Sequence, residues 1–400
     1  MQFDPHVQFD APAVKCVQLP PEIQEIIMDL LSDDKDALRT CSFVDQAWLH
    51  LSRRHLFASV HLLKDRCESF RHLCHSPRGA VAPYISTLSI SSPKDADYMN
   101  ESASFFLDLV PYLPSLPALI CLEISSLSWQ DASQQCLSSM ARCFSNLTEL
   151  CIHLVEFSHS QQVLVLLSCF QMLEKLSIGA TFATEDQASS SIPPPNLRHL
   201  RVLRLRVGLH GTGAFRDLIS WFIPTNGFQP AIQALSIASL ESSMVPVVGS
   251  LLRGLGSTLK HLDIWFMSSV TVADVNTHID LTCNRGLRSV TVHSLDSKSW
   301  AVLEGISIDV LSVNIFVESM EALDRMEWAR LSWTPRFAGL RRFSLAVICF
   351  TEMPGNNGRS LDADTVQGEI RRRVPEWAEQ ENTEIKLELK PILDFYDEVR

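Results

Sequence analysis

Cys67, His72, Cys74 and His75 fall within the run RCESFRHLCHSPR (66–78), and thiol and imidazole are the side chains that bind zinc. Zinc modules space their ligands in pairs such as Cys-x-x-Cys, whereas Cys74 and His75 are adjacent. Neither a Cys-x-x-Cys pair nor a His-Glu-x-x-His helix occurs in the chain. The run reads better as a helix with Cys67 and Cys74 part-buried. Cys136 and Cys143, seven apart, have the spacing of core positions on a helix rather than of a reactive dithiol. GLHGTGAF (208–215) has three glycines, but neither the dinucleotide fingerprint nor the lysine of a phosphate loop. No spacing picks out a Ser, His and Asp grouping. No metal, cofactor or catalytic residue is expected, and the chain is not expected to be an enzyme.

Binding chemistry is better represented. Arg198, Arg201, Arg204 and Arg206 form a basic cluster in a chain whose formal net charge is −12. Arginine grips carboxylates and phosphates bidentately, so the cluster suits an acidic or phosphorylated protein segment. Trp265 stands two residues after Asp263 on an alternating strand. Trp and Arg are the residue types enriched at binding hot spots. The candidates for holding a protein client are Arg201, Arg204, Arg206, Asp263, Trp265 and His293. The plainer alternative is that the arginines pair with nearby carboxylates and that a loop covers Trp265.

The acidic balance disfavours non-specific binding to nucleic acid or to anionic membranes. The 11 cysteines are odd in number and follow no framework, which points to a reducing compartment, cytoplasmic or nuclear. The start, MQFDPHVQFDAPAVK, lacks the basic and apolar regions of a signal peptide, and no apolar run is long enough to span a membrane.

The elements that must position these residues follow from a repeat. The pattern apolar-x-x-apolar-x-apolar occurs ten times, at 85/88/90, 119/122/124, 147/150/152, 173/176/178, 200/203/205, 232/235/237, 259/262/264, 287/290/292, 308/311/313 and 340/343/345. The last two apolar positions of each copy have strand period. Helix-like stretches lie between copies: DASQQCLSSMARCF with Asp131 as N-cap, SQQVLVLLSCF, GAFRDLISWFI, MVPVVGSLLRGL and SMEALDRMEWARL. A strand and a helix every 21 to 34 residues must stack on neighbours to bury a core. The pattern resembles the leucine-rich repeat over residues 84–350, and an ordinary α/β domain is the alternative. Regular members carry Asn or Cys three residues after the third apolar position. Here those places hold Pro93, Leu127, Val155, Thr181, Gly208, Leu240, Met267, Leu295, Phe316 and Ile348, so the repeats are irregular. TEDQASSSIPPP (184–195) and 351–364 read as exposed loops. Residues 365–400 read as a helix broken near Pro375 and then a strand, capping the array.

Ahead of the repeats, LPPEIQEIIMDLLSDDKDALRTCSFVDQAWLHL (19–51) reads as three short helices. Pro20 and Pro21 suit a first turn, SDDKD ends one helix and caps the next, and a third begins near Asp45. Leu19, Pro20, Glu22, Ile23, Ile27, Leu30, Asp34, Leu38, Cys41, Val44, Trp48, Leu51, Leu56 and Phe57 fall in an order that resembles the F-box, especially of fungal proteins, over residues 17–62. Asp45 and Gln46 stand where the family usually has a small or basic residue.

The resemblance implies the following organisation. A disordered tail (1–16), the F-box (17–62) and a helical linker (63–83) precede an irregular leucine-rich-repeat solenoid of parallel strands plus helices (84–350), the loop (351–364) and the cap (365–400). It implies a non-catalytic substrate receptor of an SCF-type cullin–RING ubiquitin ligase, promoting ubiquitin-dependent degradation. Leu19, Pro20, Ile23, Ile27, Leu30, Trp48 and Leu51 would dock on a Skp-type adaptor and through it reach a cullin, and the solenoid would hold a protein client. The alternative is a leucine-rich-repeat scaffold outside any ligase, with the N-terminal helices capping the array.

Overall fold

The computed structural model describes residues 19–76, 81–92, 102–129, 131–183, 197–207, 212–224, 230–304, 306–317, 323–332, 340–350, 363–373 and 383–390. The tail 1–16, the loop 184–195, nearly all of 351–364 and Pro375 lie outside them. The chain forms two compact units, divided in sequence between Ser59 and Val60.

The first unit holds α1 (Pro21–Leu30), α2 (Lys35–Cys41) and α3 (Gln46–Leu56). Pro20 and Pro21 open α1 as its composition requires. Asp34 caps α2, its carboxylate accepting from the N–H groups of Asp36 at 3.1 Å and Ala37 at 2.9 Å. Asp45 caps α3 by accepting from Trp48 N–H at 2.9 Å. The packed side chains are Gln24, Met28, Leu38 and Ser52. Gln24 is tolerated inside because its amide donates to the Leu19 carbonyl at 2.8 Å. The aliphatic stripe of α1 is therefore not the internal packing face.

The second unit is built on one sheet. Its strands are β1 (Ser59–Leu62), β2 (Thr87–Ser91), β3 (Cys121–Ser125), β4 (Ser128–Trp129), β5 (Glu149–Phe157), β6 (Lys175–Phe182), β7 (Val202–Val207), β8 (Ala234–Leu240), β9 (His261–Phe266), β10 (Ser289–Val292), β11 (Val310–Val317), β12 (Arg342–Phe350) and β13 (Thr383–Lys390). They pair in chain order, except that β4 lies off the path beside β5. Every pairing from β2 to β13 is parallel. All ten apolar copies became strands, and they share one register. Leu88, Leu122, Leu150, Leu176, Leu203, Leu235, Leu262, Val290, Leu311 and Phe343 form one continuous buried row. At each strand entry one carbonyl of the preceding copy accepts two N–H groups, as Ile120 O does from Thr148 and Glu149. This is the α/β repeat fold expected. No helix among the described residues is long and apolar enough to cross a membrane.

Near the start, the first unit ends at Ser59 and β1 joins the sheet. Within 63–83 lies α4 (Cys67–His75), whose Phe70 and Cys74 are buried and which belongs to the second unit.

Helices fill the intervals between strands: α5 (Ser104–Leu109), α6 (Gln134–Cys143), α7 (Ser160–Ser168), α8 (Thr212–Trp221), α9 (Val245–Leu255), α10 (Val272–His278) and α11 (Ser297–Leu303). Ser133, not Asp131, caps α6, and Asp131 instead accepts from the Gln162 amide at 2.8 Å. Of the stretch SMEALDRMEWARL, Leu323 and Asp324 are helical, and a short 3-10 segment, Trp328–Ser332, follows. A helix at Ala363–Arg373 precedes β13. Gly249 sets the spacing of α9 and α10, because a Cβ there would lie 2.0 Å from the His278 carbonyl oxygen. Buried Asn284 donates to the carbonyls of Leu252 at 2.9 Å and Gly256 at 3.0 Å, satisfying the end of α9.

Three copies solve the missing Asn position with a backbone device. Ser126, Leu154 and Ser239 have positive φ (56°, 51° and 59°), and each lies two residues after the third apolar residue of its copy. Register shifts accompany the latter two. The extra residue inverts the alternation, as a bulge does. Leu150 and Ile152 are buried before it, Val155 and Phe157 after it; Leu235 and Ile237 before, Leu240 after. Apolar side chains at Leu127, Val155 and Leu240 thus enter the core where regular repeats place Asn.

Candidate functional site

The residues alternating with the buried rows form a half-exposed open face. One row runs Ser89, Glu123, Cys151, Ser177, Arg204, Ser236, Asp263, Thr291, Ser312 and Ser344 in register. Neighbours along it bond to one another. Ser89 donates to Glu123, and Ser236 Oγ donates to Asp263 Oδ2 at 3.0 Å.

Three of the expected client-binding residues meet at one place. Asp263 Oδ1 accepts from His293 Nε2 at 2.7 Å. A carboxylate only accepts, so Nε2 is the donor, and the other ring nitrogen is Nδ1. That Nδ1 is buried without a hydrogen-bond partner. Trp265 stacks on His293 with ring centroids 5.6 Å apart. Phe316 completes the group, 5.2 Å from Trp265 and 5.9 Å from His293. The result is an apolar aromatic shelf with a charged, hydrogen-bonded edge. Such a shelf can take an apolar side chain while the carboxylate orients a donor.

Arg204 stands exposed in the same row, two strands from Asp263, or about 10 Å at the usual strand spacing. Arg206 is half-buried, and a Cβ built on Gly179 would meet its Cβ at 3.5 Å, so its stem covers that glycine. Arg201 does not share their face. It precedes β7, and its alternation matches buried Leu203 and Leu205. Arg198 also precedes the strand and is exposed. The basic cluster of the open face therefore reduces to Arg204 and Arg206.

The first unit presents the other surface. Leu19, Pro20, Ile23 and Leu30 are exposed, while Ile27, Trp48 and Leu51 are half-buried. Ile26, Phe43 and Val44 extend the apolar exposure, with Leu30 at 81% and Phe43 at 88%. Leu19, Ile23, Ile26 and Leu30 recur at helical spacing, and so form a stripe.

The thiols considered as ligands or dithiols are packing groups. Burial pushes Cys67, Cys74 and Cys136 up to about 11, and raises Cys143. Cys67, His72, Cys74 and His75 do not converge as a ligand set among the described residues.

Phe316 escaped the sequence reading because it was assigned to the turn position. Counting the alternation Ser312, Asn314 one step further would have found it. Cys121, two before Glu123, is found by running the same alternation back to the start of its strand.

No protein-family model and no curated protein matches the sequence. Among solved structures, a chain from the crystal structure of the Rad7 and Elc1 complex in yeast is similar, with a TM-score of 0.37 and 13% identity over 94% of each chain.

Proposed function

We propose that this chain is a non-catalytic substrate-receptor subunit of an SCF-type cullin–RING ubiquitin ligase, acting in the cytoplasm or nucleus. The observation that carries the reading is the apolar stripe of the first unit, left in solvent by a three-helix fold whose residue order resembles the F-box. Large aliphatic side chains at Leu19, Ile23, Ile26 and Leu30 are exposed together. Each Leu or Ile left in water forgoes about 1.5–3 kcal/mol, so the stripe favours a partner. In this reading the partner is a Skp-type adaptor, which links the chain to a cullin, and the open face of the second unit holds a protein client. Transfer of ubiquitin then gains from proximity alone.

The test is co-purification of the full chain with a Skp-type adaptor, beside a variant carrying Ile23→Asp and Leu30→Asp. A stoichiometric complex that the variant loses while keeping its helical content supports the reading. A folded wild type that forms no complex overturns it in favour of a repeat scaffold outside any ligase.

A further inference from the structure

We propose that Cys121, Glu149 and Cys151, on adjacent strands β3 and β5 of the open face, form a zinc site. This does not rest on the ligase reading. One ligand atom from each of the three residues lies within 4.8 Å of the others, and all three side chains are half-buried. Two donors held about 2.0–2.3 Å from one ion are at most about 4.6 Å apart, so the group needs little rearrangement to share a metal.

The register separates this from a disulfide. Cys121 pairs with Glu149, which places Cys151 two residues further along the neighbouring strand. A strand spacing of about 4.8 Å and a two-residue rise of about 6.6 Å put their Cα atoms about 8 Å apart. Disulfides need about 4.4–6.8 Å. The two sulfurs approach each other, but the backbones are too far apart to be joined without moving the sheet.

Ligand type and charge select the ion. Two thiolates and a carboxylate suit zinc and exclude calcium and magnesium, which take oxygen. Binding Zn²⁺ releases the two thiol protons to solvent and leaves two thiolates, one carboxylate and two positive charges on the metal. The residual single negative charge faces Lys175, whose Nζ is 3.0 Å from Glu149 Oε2. Lys175 both balances the site and orients the carboxylate, as outer-shell partners of metal ligands do. His153 lies two residues after Cys151 on the same strand, in register with Ser125.

The experiment is titration of the purified, reduced full chain with Co²⁺ and then Zn²⁺. The chain is expected to bind one Co²⁺ with a thiolate-to-cobalt charge-transfer band, which Zn²⁺ displaces. Zinc should also protect two thiols from modification by a thiol reagent, identified by mass spectrometry as Cys121 and Cys151. Cys121→Ser and Glu149→Gln should weaken zinc binding at least tenfold, and Cys283→Ser, at an exposed thiol, should not. A folded wild type without the band overturns the proposal, as does protection mapping to other cysteines or a Cys121–Cys151 disulfide forming in place of metal binding. Because thiol protection is read on the wild type, a variant that fails to fold does not remove the test.

Discussion

Gly249→Ala should destabilise α9 and α10, although the same exchange in an ordinary helix stabilises. In a helix interior Ala is favoured over Gly by about 1 kcal/mol. At this position the new Cβ would lie 2.0 Å from the His278 carbonyl oxygen and 2.8 Å from its carbon. Relief requires about 1 Å of separation between the helices, against packing that tolerates little displacement. Overpacking of this kind costs about 1–3 kcal/mol. The same carbonyl accepts from Arg253 Nη1 at 2.9 Å, a bond the movement would stretch. The net expectation is a loss of about 1–2 kcal/mol, borne locally because repeats couple mainly to their neighbours. Hydrogen exchange read by mass spectrometry over 245–255 and 272–278 measures it, with β2 and β3 as an internal reference. Gly368→Ala is the control: nothing lies within 4 Å of its added Cβ, so it should stabilise its own helix. Unchanged or increased protection around α9 in Gly249→Ala would refute the packing argument.

Three further outcomes are expected. Leu30→Asp alone should weaken adaptor binding by about 10- to 150-fold, the affinity equivalent of burying one Leu, and calorimetric titration reads it; an unchanged affinity removes Leu30 from the interface. A double-mutant cycle of Trp265→Ala and Phe316→Ala should show a coupling of about 0.5–1.5 kcal/mol in denaturant unfolding, and additive effects would mean the rings do not support each other. Asp274 is held below the usual carboxylate range first by the Thr271 N–H and then by the Thr271 and Ser242 hydroxyls. Its folded-state value lies below the unfolded one, so its contribution is complete above the unfolded value and lost as pH falls through the folded one. The advantage of wild type over Asp274→Asn should therefore be full at pH 7 and shrink below about pH 4, and a gap independent of pH contradicts this.

The strands were legible because their signal is redundant. Ten copies each state an apolar pair at period two, and their common register repeats that statement across the sheet. The open face could be read by alternation as far as alternation holds. It fails at Ser126, Leu154 and Ser239, where a left-handed residue inverts the count, and no composition rule marks Leu154 for that conformation. Arg201 groups with Arg204 and Arg206 by nearness in sequence, but it has the parity of buried Leu203. In α1 the period was visible but the inward side was not. An aliphatic stripe is the natural guess, yet Gln24 and Met28 point inward, since the Gln24 amide satisfies the Leu19 carbonyl. The Cys121, Glu149 and Cys151 group has no linear signature, because it joins residues 28 and 30 positions apart through register alone.

The bulges also give the open face a gauge. At β3, β5 and β8 only three side chains face outward before the inversion: 121, 123 and 125, then 149, 151 and 153, then 234, 236 and 238. That is a track about 13 Å wide, graduated across the strands every 4.8 Å or so. An extended ligand laid along the track advances about 3.4 Å per residue, so about seven of its residues cover five graduations. The two scales coincide only at intervals, like a vernier. A ligand helix, with a pitch of about 5.4 Å, stays in phase for longer.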